Sequence, residues 1–387
     1  MLIRSRRFVM PFRQSVIYQV CDAEMNDEWD SFLHHSGINN YQQTSVWGII
    51  KGKDGWIAKR LILRNAEGNI IGGAQIFLME IPVIGRIGYI SQGPCFGNQN
   101  CSNLNYFISL LKVFTRRNKL IYVTVDVNYR LPEVVKALTR RRFRKHPDNT
   151  PPMPHVKATL IVNLQQSEEQ IFAGFKKNRR KSILAAKNIS VTLRSGSRDD
   201  LPLLHRLVDQ TCERQGVVSG YPNVEYFYML WDLMAPRGWL AFNIAEMDGR
   251  PVSASLGYVF GDTYRDTVWG WSGEYAAENI SDLITWKLIL WAKQSGFAYF
   301  DFVQLDIVSI RAIMAGDVVP DEVKSRKSFG ATFYKTRFGG EVCFYPGTYT
   351  FFPSQLIAAL MQMASGHLRK DSMASRLVRF IRSLKKN

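Results

Sequence analysis

Long apolar runs are missing from this sequence of 387 residues, although 46% of its residues are hydrophobic. No stretch reaches the roughly 18–20 apolar residues that a helix needs to cross a bilayer. Residues 1–13 are rich in arginine, but their apolar stretch is too short for the core of a signal peptide. We therefore expect a cytoplasmic protein without a membrane-spanning helix.

Patterns that would bind a metal or form disulfides are missing as well. The cysteines are scattered, odd in number and without CxxC spacing, so they suit neither a disulfide framework nor a zinc site. The six histidines show no metal-ligand spacing. We expect no metal site and interpret the cysteines as small buried apolar residues. They are Cys21, Cys95, Cys101, Cys212 and Cys343.

No standard catalytic motif is present: the sequence has no GxSxG elbow, no HExxH, no P-loop and no GxGxxG loop. Acyl transfer can proceed without such motifs when the donor is already an activated ester or thioester. The enzyme then mainly aligns the amine with the carbonyl and stabilises the oxyanion that develops. A buried lysine or a backbone N–H can supply that stabilisation.

What the sequence does contain is an internal repeat. Residues 66–78 and residues 247–259 each place an acidic residue and a glycine between two apolar runs, followed by two small residues. Because glycine tolerates the positive φ of a tight turn, each stretch predicts a β-hairpin. The turn pairs are Glu67-Gly68 and Asp248-Gly249, and the small pairs are Gly72-Gly73 and Ser253-Ala254.

Each predicted hairpin is followed by a strand, a helix and another strand. The first copy has them at 87–91, 104–116 and 121–126, and the second at 265–271, 282–293 and 299–302. This order predicts α/β lobes with mixed sheets and a βαβ crossover. A duplicated unit of this kind, suited to acyl transfer, resembles the acetyltransferase (GNAT) fold. In that fold, a loop of the form Arg/Gln-x-x-Gly-x-Gly/Ala holds the pyrophosphate of coenzyme A. The sequence lacks this loop, so the acyl donor could be attached to a carrier other than coenzyme A.

The predicted domains follow from the repeat and from a proline-rich stretch at 146–155, which favours an extended chain. We expect a first acetyltransferase-like lobe over residues 1–155 and a second over residues 156–339. Residues 340–387 are expected to return to the first lobe and to end in a basic amphipathic helix over 372–387. That helix could dock on its own domain or lie on an anionic membrane surface.

Positive charge is in large excess, with a net charge of +17. A field of this sign attracts nucleic acid, anionic membrane or phosphorylated substrates. One basic run follows a helix that starts at Glu168 behind a capping box of Ser167 and Gln170. Its residues are candidates for sequence-independent phosphate contacts, although a solvated helix face would look the same. They are Lys176, Lys177, Arg179, Arg180 and Lys181.

Five stretches, in order along residues 43–346, resemble the FemABX family of non-ribosomal peptidyltransferases. The segment at 334–340, Tyr-Lys-Thr-Arg-Phe-Gly-Gly, is similar to the family's Phe-Lys-x-x-Phe-Gly-Gly and is the most specific. The others are Gln43-Thr44-Ser45-Val46-Trp47 with Lys51, Tyr89-Ile90-Ser91-Gln92-Gly93-Pro94, the basic helix around 178–187, and Thr211-Cys212-Glu213-Arg214-Gln215-Gly216.

The resemblance implies a role for individual residues. Lys51 and Arg214 match positions that hold the diphosphate of the acceptor, and Tyr89 could line the acceptor pocket. Lys335 matches a lysine near the reacting groups, suited to stabilising charge on the carbonyl. Simpler interpretations remain: an exposed lysine for Lys51, a structural ion pair for Arg214, a lysine at a strand-turn position for Lys335, and a core aromatic for Tyr89.

The resemblance further implies an enzyme that adds amino acids from aminoacyl-tRNA to an amine of a peptidoglycan precursor or similar phosphate-linked acceptor. No cofactor is expected beyond this co-substrate, and peripheral contact with the inner face of the cell membrane fits the basic tail. The alternative is a coenzyme A-dependent N-acyltransferase that acts in surface polysaccharide or small-metabolite synthesis. A third reading is a non-enzymatic RNA- or membrane-binding scaffold.

Overall fold

The structure of the protein is a computed structural model that describes residues 16–82, 85–97, 100–145, 156–221, 223–276, 278–316 and 318–359. Within these ranges the strands are β1 (Ile17–Cys21), β2 (Ile57–Arg64), β3 (Ile70–Ile81), β4 (Gly85–Ile90), β5 (Cys95–Phe96), β6 (Tyr122–Val127), β7 (Arg144–Lys145), β8 (Ala158–Asn163), β9 (Thr192–Ser195), β10 (Leu240–Met247), β11 (Arg250–Phe260), β12 (Thr263–Trp271), β13 (Tyr299–Asp301), β14 (Glu341–Phe344) and β15 (Gly347–Phe351). The helices are α1 (Asp27–His35), α2 (Ser45–Gly52), α3 (Leu104–Arg117), α4 (Glu133–Arg140), α5 (Glu168–Ala173), α6 (Lys177–Ala186), α7 (Leu201–Arg214), α8 (Glu225–Met234), α9 (Ile280–Gln294), α10 (Ile307–Ala315), α11 (Asp321–Lys324) and α12 (Phe329–Thr336).

Two compact units divide the chain. The first lobe comprises residues up to His155 together with those from Tyr345 onward, and the second lobe runs from Val156 to Phe344. The second lobe thus extends beyond residue 339, because β14 pairs with β8 inside it. The next strand, β15, pairs with β6 of the first lobe.

The two sheets have matching strand orders. The first lobe has the order β1-β2-β3-β4-β6-β15-β7, with β5 beside β3, and the second has β9-β10-β11-β12-β13-β8-β14. In both sheets the fourth and fifth strands, β4 with β6 and β12 with β13, are parallel and the other neighbours are antiparallel. The prediction of two tandem α/β lobes with mixed sheets is confirmed.

The predicted hairpins form with the expected turn chemistry. β2 pairs with β3, and β10 with β11, in antiparallel register. Gly68 has a φ of 88° and Gly249 a φ of 73°, values that favour glycine at these turns. At the second turn Asp248 also has a positive φ, of 49°.

The amphipathic helix that follows the first hairpin is α3, and its apolar stripe is buried in the first lobe. Its counterpart in the second lobe is α9, which is longer than predicted by two residues at its start and one at its end. The capping box of Ser167 and Gln170 forms at the start of α5. The chain then breaks at Gly174 and resumes as α6, so the basic run lies on a separate helix.

The segment after β13, for which the sequence offered no structure, forms α10, α11 and α12. The predicted helix over 372–387 and the proline-rich stretch at 146–155 lie outside the described residues. Among the helices that the structure does describe, none is both long enough and apolar enough to span a bilayer.

Candidate active site in the second lobe

Lys335 lies in the last turn of α12 and not at the strand-turn position of the simpler interpretation. Its Nζ donates hydrogen bonds to the carbonyl oxygens of Val303 at 3.2 Å and Gln304 at 3.3 Å. These two residues follow β13 and have φ values of 47° and 23°. Such conformations cost non-glycine residues roughly 1–3 kcal/mol each and concentrate at functional sites. Because an ammonium group has three N–H donors, one remains after both carbonyls are bound.

Two carboxylates on the parallel strands β12 and β13 act electrostatically on Lys335. Burial lowers the pKa of Lys335, and the negative charges of Asp266 and Asp301 oppose this change. Burial also raises the pKa of Asp266, against the hydrogen bond from Ser255 and the charge of Lys335. Neighbouring carboxylates favour the ammonium form of a lysine, and in that form Lys335 can stabilise an anion.

Each carboxylate is held by a different set of partners. Asp301 accepts from the hydroxyl of Thr159 and from the backbone N–H of Val303 at 2.8 Å, and lies 3.7 Å from Nε of Arg265. Asp266 Oδ1 accepts from Oγ of Ser255 at 2.7 Å. Asp301 is therefore locked within the fold, whereas Asp266 makes one side-chain hydrogen bond.

A row of side chains crosses the sheet beside Asp266. In the strand register, Asn243 of β10 lies opposite Ser255 of β11, which lies opposite Trp269 of β12. Only 3% of Asn243 is exposed, and its Nδ2 has no hydrogen-bond partner among the described residues. Sequence analysis missed Asn243, Ser255, Asp266 and Asp301. The available signal was the occurrence of polar residues inside otherwise apolar strands.

Tyr334, next to Lys335, has a structural role. Its hydroxyl is 2.9 Å from Oγ1 of Thr285 and donates to the carbonyl of Ser281 at 2.9 Å. Both partners belong to α9, so the tyrosine fixes α12 against that helix. Burial raises the pKa of Tyr334, so the phenol stays neutral.

The glycines of the 334–340 motif are required by close backbone approach. A Cβ at Gly339 would lie 2.5 Å from the carbonyl oxygen of Gly174, and one at Gly340 would lie 2.5 Å from that of Ile161. Both glycines also have positive φ, of 68° and 85°. These contacts hold the end of α12, and with it Lys335, against the sheet.

The burial of Arg179 contradicts its assignment to the tRNA-binding residues. Only 4% of it is exposed, and its guanidinium forms a buried ion pair with Asp282 of α9. The same group stacks 4.4 Å from the ring centroid of Tyr334 and 4.5 Å from that of Phe338. Arg179 therefore joins α6, α9 and α12 and is not available to a polyanion.

The other residues of the basic run differ in their exposure to solvent. Arg180 is half-buried and donates to the carbonyls of Ala173, at 2.8 Å, and Phe175, which closes the break between α5 and α6. Lys176, Lys177 and Lys181 are exposed. These three lysines remain candidates for phosphate contacts.

Arg214, at the end of α7, forms no ion pair with any residue that the structure describes. Its guanidinium donates to the carbonyls of Trp271 and, at 2.7 Å, Ser272, and lies 5.1 Å from a ring centroid of Trp271. A Cβ at Gly273 would lie 2.9 Å from the guanidinium, so glycine there leaves room for it. The arginine is exposed and fixed at the end of β12.

The candidate residues of the first lobe are held by local partners. Lys51 pairs with Asp54 at 2.6 Å on the surface of α2. The hydroxyl of Tyr89 donates to Asp126, which also accepts from Thr348. Burial and the charge of Asp126 raise the pKa of Tyr89 well above its usual value. Tyr89 therefore stabilises the sheet of the first lobe. Lys51 is a half-buried lysine whose ion-pair partner, Asp54, a diphosphate could replace.

The Gln43-Thr44-Ser45 segment is architectural. The side chain of Gln43 is fully buried and bonds the backbone of Gln75 and Ser91. Thr44 caps α2, and Ser45 donates to Asp30 at 2.5 Å. The Gln43-Thr44-Ser45 pattern is therefore explained by the packing and capping at the start of α2.

The sequence that leads into α9, residues 272–282, contains acidic residues and no basic residue. Between β12 and α9 the chain carries Glu274 and Glu278, and Asp282 lies in the first turn of α9. Carboxylates at a helix N-terminus repel a pyrophosphate that would otherwise bind there. The corresponding stretch of the first lobe, residues 91–103, has no basic residue.

Comparisons with known proteins agree with this architecture. Residues 174–307 match the model of an acetyltransferase (GNAT) domain, and residues 25–138 match the model of the FemAB family. A crystal structure of FemX matches with a TM-score of 0.75 and 16% identity, covering 88% of this chain and 99% of that one. The structure of L-PGS from Bacillus licheniformis matches with a TM-score of 0.52 and 12% identity, covering 90% and 99%.

Among curated relatives, a lipid II:glycine glycyltransferase of Staphylococcus haemolyticus (strain JCSC1435) is 21% identical over 236 residues. The match covers 59% of this chain, and the chain spans 55% of that relative's length.

The fold and these matches define a protein with two acetyltransferase-like lobes in tandem. Within that class, residues 25–138 are similar to the FemAB family, and the fold is similar to that of FemX.

Proposed function

We propose that the protein is an aminoacyltransferase that moves an aminoacyl group from aminoacyl-tRNA to an amine of a peptidoglycan precursor or a similar phosphate-linked acceptor. The observation that carries this proposal is Lys335, fixed by two strained carbonyls beside Asp266 and Asp301 with one N–H donor still available. The relative named for glycine transfer to lipid II supports the acceptor class.

In the proposed reaction the acceptor amine attacks the ester carbonyl of the donor. A C–N bond forms, the C–O bond to the terminal ribose of the tRNA breaks, and the proton lost by the amine ends on that ribose oxygen. Negative charge develops on the carbonyl oxygen in between. The remaining donor of Lys335 stabilises this oxyanion in a site shielded from water, where a single donor contributes most.

Both substrates carry phosphates, and basic side chains are present that could bind each of them. We assign Lys176, Lys177 and Lys181 to the backbone of the tRNA. Lys51 and Arg214, each considered within its own lobe, are our candidates for contacts with acceptor phosphates. Arg179 is excluded because it is buried in its ion pair. An acceptor of the lipid II kind would bring the protein to the inner face of the membrane.

Coenzyme A-dependent N-acyl transfer is the second candidate, favoured by the match of residues 174–307 to a GNAT domain. Against it stand Glu274 and Glu278 in the loop before α9, where the pyrophosphate would bind. A donor that is an RNA ester needs no cradle at that helix.

The test supplies lipid II with either a charged tRNA pool or acetyl-coenzyme A and measures amide product. We expect product from the tRNA pool alone, and its complete loss after ribonuclease treatment. Saturable thermal stabilisation by coenzyme A, together with product that survives ribonuclease, would instead support the second candidate.

A further inference from the structure

The cluster beside Lys335 leaves several hydrogen-bonding groups unused. Asp266 Oδ1 accepts from Ser255, whose hydroxyl must donate because an ionised carboxylate can only accept. The hydroxyl of Tyr264, 2.9 Å away, then donates to Ser255. The described residues donate no hydrogen bond to Asp266 Oδ2. One carboxylate oxygen is therefore held in place by a chain of two hydroxyls, and the other is available to a ligand.

Asn243 is the second and independent observation. It lies opposite Ser255 in the strand register, so Asn243 and the partner of Asp266 share one face of the sheet. Only 3% of Asn243 is exposed, yet its Nδ2 has no hydrogen-bond partner among the described residues. A buried amide donor without a partner is destabilising and rare in folded proteins. An oxygen of a bound substrate would satisfy it.

Taken together, the cluster presents one negative acceptor and two donors, Asp266 Oδ2, Asn243 Nδ2 and the third N–H of Lys335. The complementary ligand has a cationic donor close to oxygen acceptors. An α-aminoacyl ester has this pattern, because its ammonium group lies on the carbon next to the carbonyl. A simple acyl group such as acetyl has no cation and would give Asp266 Oδ2 no hydrogen-bond donor.

We propose that Asp266 and Asn243 recognise the aminoacyl group of the donor, with Asp266 Oδ2 accepting from its α-ammonium group and Asn243 Nδ2 donating to one of its oxygens. This inference rests on the proposed function and adds to it a requirement: the donor must carry a free α-amine. Asp266 is then the residue that selects aminoacyl over uncharged acyl donors, and Lys335 is left to act on the carbonyl.

The test compares two donors of nearly equal size with lipid II as the acceptor. One is total tRNA charged with amino acids, and the other is the same pool after chemical deamination of the α-amine to a hydroxyl. The wild-type chain should prefer the aminoacyl pool by roughly 10-fold to 100-fold in initial rate, the usual contribution of a hydrogen bond to a charged group. Asp266→Asn should bring the ratio close to one.

Asp248→Asn is the matched control, because Asp248 lies in the exposed turn between β10 and β11 and asparagine tolerates its positive φ. It should keep the wild-type ratio. Asn243→Ala provides a second variant that does not depend on the folding of Asp266→Asn. It should slow transfer from both pools by a similar factor and leave the preference intact.

Equal rates of the wild-type chain with the two pools would overturn the inference while leaving the proposed function standing. A preference that survives in Asp266→Asn, or an Asn243→Ala protein as fast as the wild type, would overturn it as well. If the wild-type chain uses neither pool, the proposed function fails and the inference falls with it.

Discussion

At the scale of the residue, the account depends on Lys335 as the group that stabilises charge on the reacting carbonyl. Replacing it with alanine removes the cation but leaves the carbonyls of Val303 and Gln304 accessible to water. We expect Lys335→Ala to lower kcat about 10²-fold or more, by comparison with the loss of one oxyanion donor. The measurement is steady-state transfer, with Lys324→Ala, an exposed lysine paired with Asp321, as the control. Intact turnover would remove Lys335 from the mechanism.

The pKa of Lys335 predicts a pH dependence. Burial lowers this pKa below the usual lysine value of about 10.4. The ammonium form is present below the folded-state pKa and is lost as the pH rises through it, so the oxyanion stabiliser disappears on the alkaline side. We expect kcat to fall with rising pH at a midpoint below that usual value, and Lys335→Arg to abolish this fall. If the decrease of kcat at alkaline pH is unchanged in Lys335→Arg, it is caused by the titration of another group.

At the scale of the element, the buried ion pair of Arg179 and Asp282 ties α6 and α9 to α12. Removing one partner leaves an uncompensated buried charge, which costs about 3–5 kcal/mol. We expect Asp282→Ala to lower the free energy of unfolding by this amount in a denaturant titration. The double variant Arg179→Met with Asp282→Leu should recover most of the loss. A single variant as stable as the wild type would mean that Arg179 is solvated.

The junction of α12 with β14 makes a second prediction at this scale. Gly340→Ala places a Cβ 2.5 Å from the carbonyl oxygen of Ile161 at a φ of 85°. Gly216→Ala adds a Cβ at a φ of 62° with no atom within 4 Å. Gly216→Ala should cost about 1 kcal/mol for its backbone conformation alone, and Gly340→Ala should cost clearly more. If the two variants have equal free energies of unfolding, the close approach of residue 340 to the carbonyl of Ile161 is contradicted.

Local elements were predictable where neighbouring residues determine them. The turns at Gly68 and Gly249, the capping box at Ser167 and the buried stripe of α3 all follow from short-range patterns, and all form. Arg179 was misjudged because its partner Asp282 lies 103 positions further along the chain. A basic run shows its charges, but it does not show which of them the fold will bury.

The same limit applies to the candidate site. Lys335 was found through its motif, whereas Asp266, Asn243 and Ser255 lie on three strands that only the sheet register brings together. In the sequence they are separate polar residues, and Asp266 stands among other polar residues, between Arg265 and Thr267. Their chemistry arises from pairing across strands, which a single sequence does not specify.

At the scale of the whole molecule, the duplicated lobe and the excess of positive charge belong to one account. The two strand orders correspond position by position, but the loop before α9 carries Glu274 and Glu278 where a coenzyme A enzyme would hold a pyrophosphate. The net charge of +17 instead favours large phosphate-bearing partners. These two features are what the proposed RNA-attached donor rests on at this scale.

The most direct measurement is the mass of the product formed when the protein is given lipid II and tRNA charged with isotope-labelled amino acids. The account predicts an acceptor that gains one labelled aminoacyl residue in an amide bond, at a rate strongly reduced in Lys335→Ala. An acceptor of unchanged mass with charged tRNA, together with an acylated product from acetyl-coenzyme A, would contradict it.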